Sequence, residues 1–257
     1  MSSGSKAWRR EELIIAFNLY CRTPFGRIHK SNPDIVCIAE MLSRSPSSVS
    51  MKMCNFARFD TQLQKRNIKG LSHGSKEDKL IWDEFNNDWE ALAYESQKIL
   101  YQMGHAVGDY KEIQADFYEE VQKTELRRNV KVRLVQHFFR ETVLASYDFA
   151  CAVCQLSIPE MLNASHIIPW AKNKLRRVDP RNGLSLCALH DRAFDRGLIS
   201  IDTNYCVIIS KTIKPRRKSQ MYQVAFTELN GGKIKMPDRF LPDQNALDYH
   251  RNKIFLK

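Results

Sequence analysis

Apolar residues return at helical spacing from Ala7 to Tyr20, with Trp8, Leu13, Ile14, Phe17 and Leu19 marking the stripe. The pattern stops at "CRTPFG", where Pro24 and Gly26 break it. The stretch "NPDIVCIAEMLSRSPSSVSMKMCNFARF" reads as two helices joined by a tight turn. Pro33 takes a first-helical position, and Ile35, Ile38, Ala39 and Leu42 form a buried face. Ser45-Pro46 restarts the chain with Ser45 as N-cap, and Val49, Met53 and Phe56 form the next stripe. Helix, turn and polar helix is the pattern of a helix-turn-helix, which predicts Ser47, Ser48, Ser50, Lys52 and Asn55 facing a DNA groove. An ordinary helical hairpin with a solvated polar face fits the same spacing.

"GSKEDKLIWDEFNNDWEALAYESQKILYQMG" reads as helical and acidic, capped by Ser75 and packed between two lobes; "HAVGDYKEIQ" reads as a loop. Helical periodicity returns from Phe117 to about Tyr147, with Arg127, Arg128, Lys131, Arg133 and Arg140 on a basic face. After Phe149 the texture changes. Cys, Gly, Pro and Asn punctuate short β-like runs, "LISID" and "YCVIIS" among them. A basic loop "KTIKPRRKS" and an apolar run "MYQVAF" follow, and a short helix closes the chain. The fold class this predicts is α+β: a helical N-terminal lobe followed by a small mixed domain.

The 257 residues suffice for one large or two ordinary domains. Charge divides them. Residues 1–72 hold 12 Lys/Arg against 5 Asp/Glu, residues 73–124 hold 5 against 12, and residues 125–257 hold 23 against 12. The reading is a helical, helix-turn-helix-like recognition lobe over 1–72, an acidic helical connector over 73–124, and a second basic domain over 125–257. Two basic pieces favour a nucleic-acid partner. No apolar run approaches a membrane span, and the expected location is cytoplasmic. The seven cysteines are odd in number and scattered apart from one Cys-x-x-Cys, which favours free thiols and a metal site over disulfides.

Candidate chemistry concentrates in "CAVC" and in "SHIIPWAKNKLRRVDPRNGLSLCALHDRAFDRGLISID". Cys151-x-x-Cys154 and Cys187-x-x-His190 have the spacing of a closed tetrahedral zinc clip, since thiolates and imidazole suit Zn²⁺. Between the pairs stand His166, whose neutral imidazole can take a proton from water, and Asn182, whose carboxamide can ligate a hard cation or orient the imidazole. Asp191 adds a carboxylate beside His190, and Asp195 follows one turn later. A base, a divalent cation and arginines together suit phosphodiester hydrolysis. Arg133, Arg140, Arg176, Arg177, Arg181, Arg192, Arg196, Lys214, Arg216 and Arg217 are the candidate phosphate contacts, with Ser47, Lys52 and Asn55 from the N-terminal lobe.

The run "CAVC…SHIIPW…DPRNGLSLCALHDRAFDRGLISID" resembles the HNH endonuclease family, with a lead-in "VRLVQHFFRETVLASYDFACAVC", over about residues 125–257. The resemblance implies a ββα-metal core on one Mg²⁺ or Mn²⁺ ion. His166 would be general base on the first strand, and Asn182 would ligate the metal or brace the loop. The third position is Asp191 by counting along the helix, which leaves His190 to zinc, or His190 by the letter pattern. Many relatives carry an aspartate before the base where this chain has Ser165. Phe194 is expected to pack inward, Asp195 to bond backbone, and Gly197 to close the helix in left-handed conformation; Pro169 and Trp170 would shape the turn after the first strand. The resemblance implies a DNA endonuclease of restriction or host-defence type, and twofold symmetry makes a homodimer a natural assembly. The alternatives are a nucleic-acid-binding protein with a degenerate core, or a non-specific toxin-type nuclease.

Overall fold

The first helix, α1 (Arg10–Arg22), is buried on every face from Glu12 to Cys21. The computed structural model places it at the centre of a helical unit, and describes residues 7–65, 74–103, 124–215, 217 and 219–257, with 124–130 described in backbone only. Two compact units emerge, Met1–Phe138 and Phe139–Lys257.

In the first unit, α2 (Pro33–Met41) and α3 (Pro46–Ala57) form the expected hairpin. Asn32 and Ser45 cap them, each accepting from backbone amides of the first turn, and both prolines start their helices where a missing N–H costs nothing. The predicted stripes Ile35, Ile38, Ala39, Val49, Met53 and Phe56 are buried. A short α4 (Thr61–Lys65) follows. The acidic stretch is two helices rather than one, α5 (Lys76–Phe85) and α6 (Trp89–Gln102), because Asp88 caps a new helix by accepting from Ala91 N at 3.0 Å. Ser75 caps α5 in a reciprocal box with Asp78. The Phe17 ring lies 4.8 Å from Phe56, 5.3 Å from Trp82 and 6.4 Å from Trp89, so α1, α3, α5 and α6 share one aromatic core. The acidic helices thus belong inside the helical unit.

The groove-facing assignment of Lys52 and Asn55 is corrected. Lys52 Nζ is buried and donates to Asp78 Oδ1 at 2.7 Å, and Asn55 Nδ2 donates to Asp78 Oδ2 at 3.3 Å. Asp78 is fully buried, and without these donors its charge would stand unpaired in an apolar core. Ser50 donates to the Ser47 carbonyl, and Ser47 itself is exposed. Among the described residues no helix is long and apolar enough to cross a membrane.

Helix α7 (Thr124–Ser146) runs across the division between the units. In the second unit, strands β1 (Leu162–His166) and β2 (Gly183–Cys187) pair antiparallel with Leu162 opposite Cys187 and His166 opposite Gly183. Gly183 is required there: a Cβ would collide with the Val143 and Phe139 side chains of α7. Helix α8 (Ala188–Asp195) leaves β2 directly, and Gly197, at φ +67°, closes it where a Cβ would strike the Ile254 carbonyl. Strands β3 (Ile199–Ile201) and β4 (Val207–Ile209) form a second antiparallel pair. The run "MYQVAF" is helical, as α9 (Gln220–Ala225), and α10 (Gln244–Lys253) is the closing helix.

His250 on α10 stacks on Phe194 with centroids 3.7 Å apart, donates from Nε2 to the Phe194 carbonyl at 3.0 Å, and accepts the Ser200 hydroxyl on Nδ1 at 2.8 Å. Burial drops its pKa to about 4, against the pull of that carbonyl. Because the folded value lies below the ordinary one, its stabilising effect is full above about pH 6.5 and is lost as pH falls toward 4. Urea titrations are expected to show up to about 3 kcal/mol lost through this group across that window, a component absent from His250→Phe. Lys52→Ala, leaving Asp78 unpaired, is expected to cost about 3–5 kcal/mol of stability, read by denaturant midpoint.

Candidate active site and metal centre

Residues 151–154 form a tight knuckle: Cys151 N donates to the Leu156 carbonyl and Gln155 N to the Cys151 carbonyl, with Gln155 at φ +61°. Ala152 N donates to the Ser185 carbonyl at 2.7 Å, which ties the knuckle to β2. Cys187, the last residue of β2 and N-cap of α8, and His190, one turn into α8, then meet the knuckle. Ligand atoms of Cys151, Cys154, Cys187 and His190 all lie within 4.8 Å of one another. The Cys187 sulfur is 3.2 Å and the Cys151 sulfur 3.6 Å from His190 Nδ1, and the Cys154 and Cys187 sulfurs are 3.9 Å apart. His190 Nε2 donates to the Ala225 carbonyl at 2.9 Å, so Nδ1 is the ring nitrogen that faces the sulfurs and would ligate a metal once its proton is displaced.

This donor set could hold a metal such as zinc. Its protons are already strained. The neighbouring Cys151 and Cys154 sulfurs pull the Cys187 thiol far below its usual range and the Cys151 and Cys187 sulfurs push Cys154 far above it. Burial opposes charge on His190, but the Cys151 and Cys187 sulfurs outweigh it and push the ring up to about 10. Converging sulfur and imidazole donors are a set that a divalent cation can hold together by displacing their protons.

His166 stands at the end of β1, half-buried. Its ring stacks on Phe139 at 4.0 Å and meets Trp170 edge-on at 5.6 Å. Nε2 lies 2.9 Å from the Arg177 carbonyl and must donate to it, which leaves Nδ1 as the basic nitrogen. Burial lowers the pKa from its ordinary value, against that carbonyl and Asp191. The ring is therefore held neutral near pH 7, in one tautomer and one orientation.

Asn182, expected either to ligate the metal or to brace the loop, has only backbone atoms as polar partners. It is buried, its Oδ1 accepts from Ile168 N at 2.8 Å, and its Nδ2 donates to the carbonyls of Ile168 and Arg176, each at 3.1 Å. With every polar atom bonded to backbone, the side chain holds the loop between β1 and β2. His190 lies in the cysteine cluster, whereas the adjacent Asp191 carboxylate accepts from Asn163 Nδ2 at 2.8 Å. Asp195 makes no backbone bond among the described residues; burial and the Asp191 charge raise its pKa, so the two carboxylates feel one another. Ser165 is buried, its hydroxyl without a hydrogen-bond partner among the described residues.

The candidate phosphate contacts separate by partner. Arg140, half-buried, donates from its guanidinium to the carbonyls of Leu162 and Pro159 at 2.7 and 3.5 Å. Arg177 Nε donates to the Trp170 carbonyl with its guanidinium 5.0 Å from the indole, Arg176 pairs with Asp243, and Arg181 pairs with Asp179. Arg133, Arg192, Arg196, Lys214 and Arg217 are exposed, and Arg216 lies outside the described residues, as does its neighbour Lys218. Phe139, Asn163, Lys172 and Lys174 escaped the sequence reading. No spacing rule reaches Asn163 or Phe139, whose roles depend on which helix covers the hairpin.

The imidazole at a strand end, the glycine-tight hairpin and the helix starting from a cysteine are on one short segment. Residues 151–202 match the HNH endonuclease family. No curated protein matches the chain. The matched segment holds the hairpin, helix α8 and all four donors of the cysteine–histidine cluster, and the match supports a metal-dependent nuclease in general. Chelation of the cluster's metal, or Cys154→Ser, is expected to lower the melting temperature by about 10 °C or more. Elemental analysis should find close to one zinc per chain in the parent and far less in the variant.

Proposed function

We propose that the chain is a DNA endonuclease that hydrolyses phosphodiester bonds, of restriction or host-defence type, with His166 as general base. The observation that carries this reading is the Nε2–Arg177 carbonyl bond, which leaves Nδ1 free to take a proton from an attacking water while Phe139 and Trp170 hold the ring. Asp191, oriented by Asn163 and crowded by Asp195, would hold a hard divalent cation, Mg²⁺ or Mn²⁺. When bound, that cation supplies charge stabilisation at the departing oxygen. Arg192 and Arg196, exposed on and just after α8, would meet the flanking phosphates of double-stranded DNA. The cysteine–histidine cluster would carry Zn²⁺ in a structural role, and a homodimer would present two sites to the two strands.

His166→Ala is expected to lower plasmid cleavage in Mg²⁺ or Mn²⁺ by about 10²–10⁴-fold, with far-UV circular dichroism and DNA affinity unchanged. Cleavage at the parental rate would remove the base assignment. In the parent, the acid limb of the pH–rate profile is expected below pH 6.5, since a lowered pKa keeps the imidazole neutral further into acid. The buried Ser165, which offers no carboxylate beside the base, favours the second reading, a DNA-binding protein with a degenerate core. That reading requires salt-dependent binding with no nicking in any divalent metal.

A further inference from the structure

Leu175 is 95% exposed, more than any other large apolar side chain among the described residues. Isolated exposed leucines are common on protein surfaces and need no explanation. This one stands on a short helical turn, Lys174–Arg176, that is firmly mounted. Leu175 N donates to Asn173 Oδ1 at 3.0 Å, and Arg176 is paired with Asp243 at 2.7 Å. The Arg176 carbonyl accepts from Asn182, and the Arg177 carbonyl accepts from His166 itself. The apolar knob is thus one and two residues from carbonyls gripped by the brace and by the candidate base. Exposed Lys172 and Lys174 flank it. A rigid apolar projection among cations matches a polymer with charge outside and an apolar stack within, which is duplex DNA.

We propose that Leu175 is a wedge that enters the minor groove beside the scissile phosphate and partly unstacks a base step, while Lys172 and Lys174 hold the adjoining phosphates. The proposal rests on the DNA-cleaving reading above, and adds to it a residue that deforms the substrate. Because the turn is bonded to the His166 ring, the depth of insertion sets where the phosphate lies relative to Nδ1. Unstacking then costs less on sequences with weakly stacked steps, so Leu175 would contribute to the choice of cleavage position without reading a base edge.

The test uses the full, otherwise unaltered chain in buffer without added Mg²⁺ or Mn²⁺, so that bound duplex stays intact and the His166–Arg177 bond is kept, and permanganate oxidation to report unstacked thymines along a plasmid fragment. Thymines are expected to become reactive in that complex and to lose the reactivity when Leu175→Ala is added, with Leu175→Met retaining it. In the otherwise unaltered chain, Leu175→Ala should lower duplex cleavage about tenfold or more and leave cleavage of a duplex with a pre-opened bubble within about twofold. No permanganate reactivity in the complex, or equal cleavage losses on duplex and bubble, overturns the wedge. So does a sedimentation result in which Leu175→Ala turns a dimer into a monomer, since the knob would then belong to an interface between copies. If the parent chain cuts neither substrate, the nuclease reading fails, and the permanganate pattern still decides for or against the wedge.

Discussion

The convergence of three cysteines and one histidine is the constraint on which the second unit turns. A knuckle at 151–154 has few large apolar side chains and no regular structure of its own. Its position comes from meeting the β2–α8 junction at Cys187 and His190. That junction also begins α8, so the same cluster determines where Asp191 and Asp195 emerge. A sulfur-facing imidazole is followed directly by a carboxylate that faces Asn163. Soft donors gather on one side of the helix, while the adjacent carboxylate turns away from them toward Asn163.

The hairpin solves a second problem, which is how to hold an imidazole still while leaving one nitrogen open. Gly183 lets β2 approach α7 closely enough for His166 opposite it to lie flat on Phe139. The Arg177 carbonyl then takes the Nε2 proton, and Asn182 carries the loop that supplies that carbonyl. Loop and ring therefore support each other: neither the carbonyl nor the ring has its position without the other. Several arginines of the loop serve the same purpose, since Arg176, Arg177 and Arg181 spend charge on Asp243, the Trp170 carbonyl and Asp179. Basic composition is a weaker guide to DNA contacts than it looks, because a loop dense in arginine uses part of that charge to hold its own shape.

The helical unit makes the same point with buried charge. Glu12 is fully buried, accepts the Arg9 amide and pairs with Arg44 at 2.8 Å; Lys52 pairs with Asp78 at 2.7 Å. These pairs sit where α1, α3 and α5 meet, and a charge removed from water there needs its partner in place. They specify how the helices register against one another, an effect that uniform apolar packing supplies less sharply.

What the sequence determined by itself is what local chemistry determines. The N-caps at Ser45 and Ser75, prolines 33 and 46 at helix starts, Gly197 at a helix end and the Cys-x-x-Cys and Cys-x-x-His spacings all act within a few residues, and all are visible in the order of letters. The buried stripes of α2 and α3 were legible for the same reason, as was His166 at the end of a strand. Tertiary structure decided the rest. Whether Lys52 faces solvent or Asp78, whether Asn182 ligates or braces, and whether Arg140 meets a phosphate or a carbonyl all depend on what stands across a gap from residues distant in sequence. Most of those partners lie about 14 to 26 positions away, well beyond the reach of any helical or strand period, so only the packed chain could choose among them.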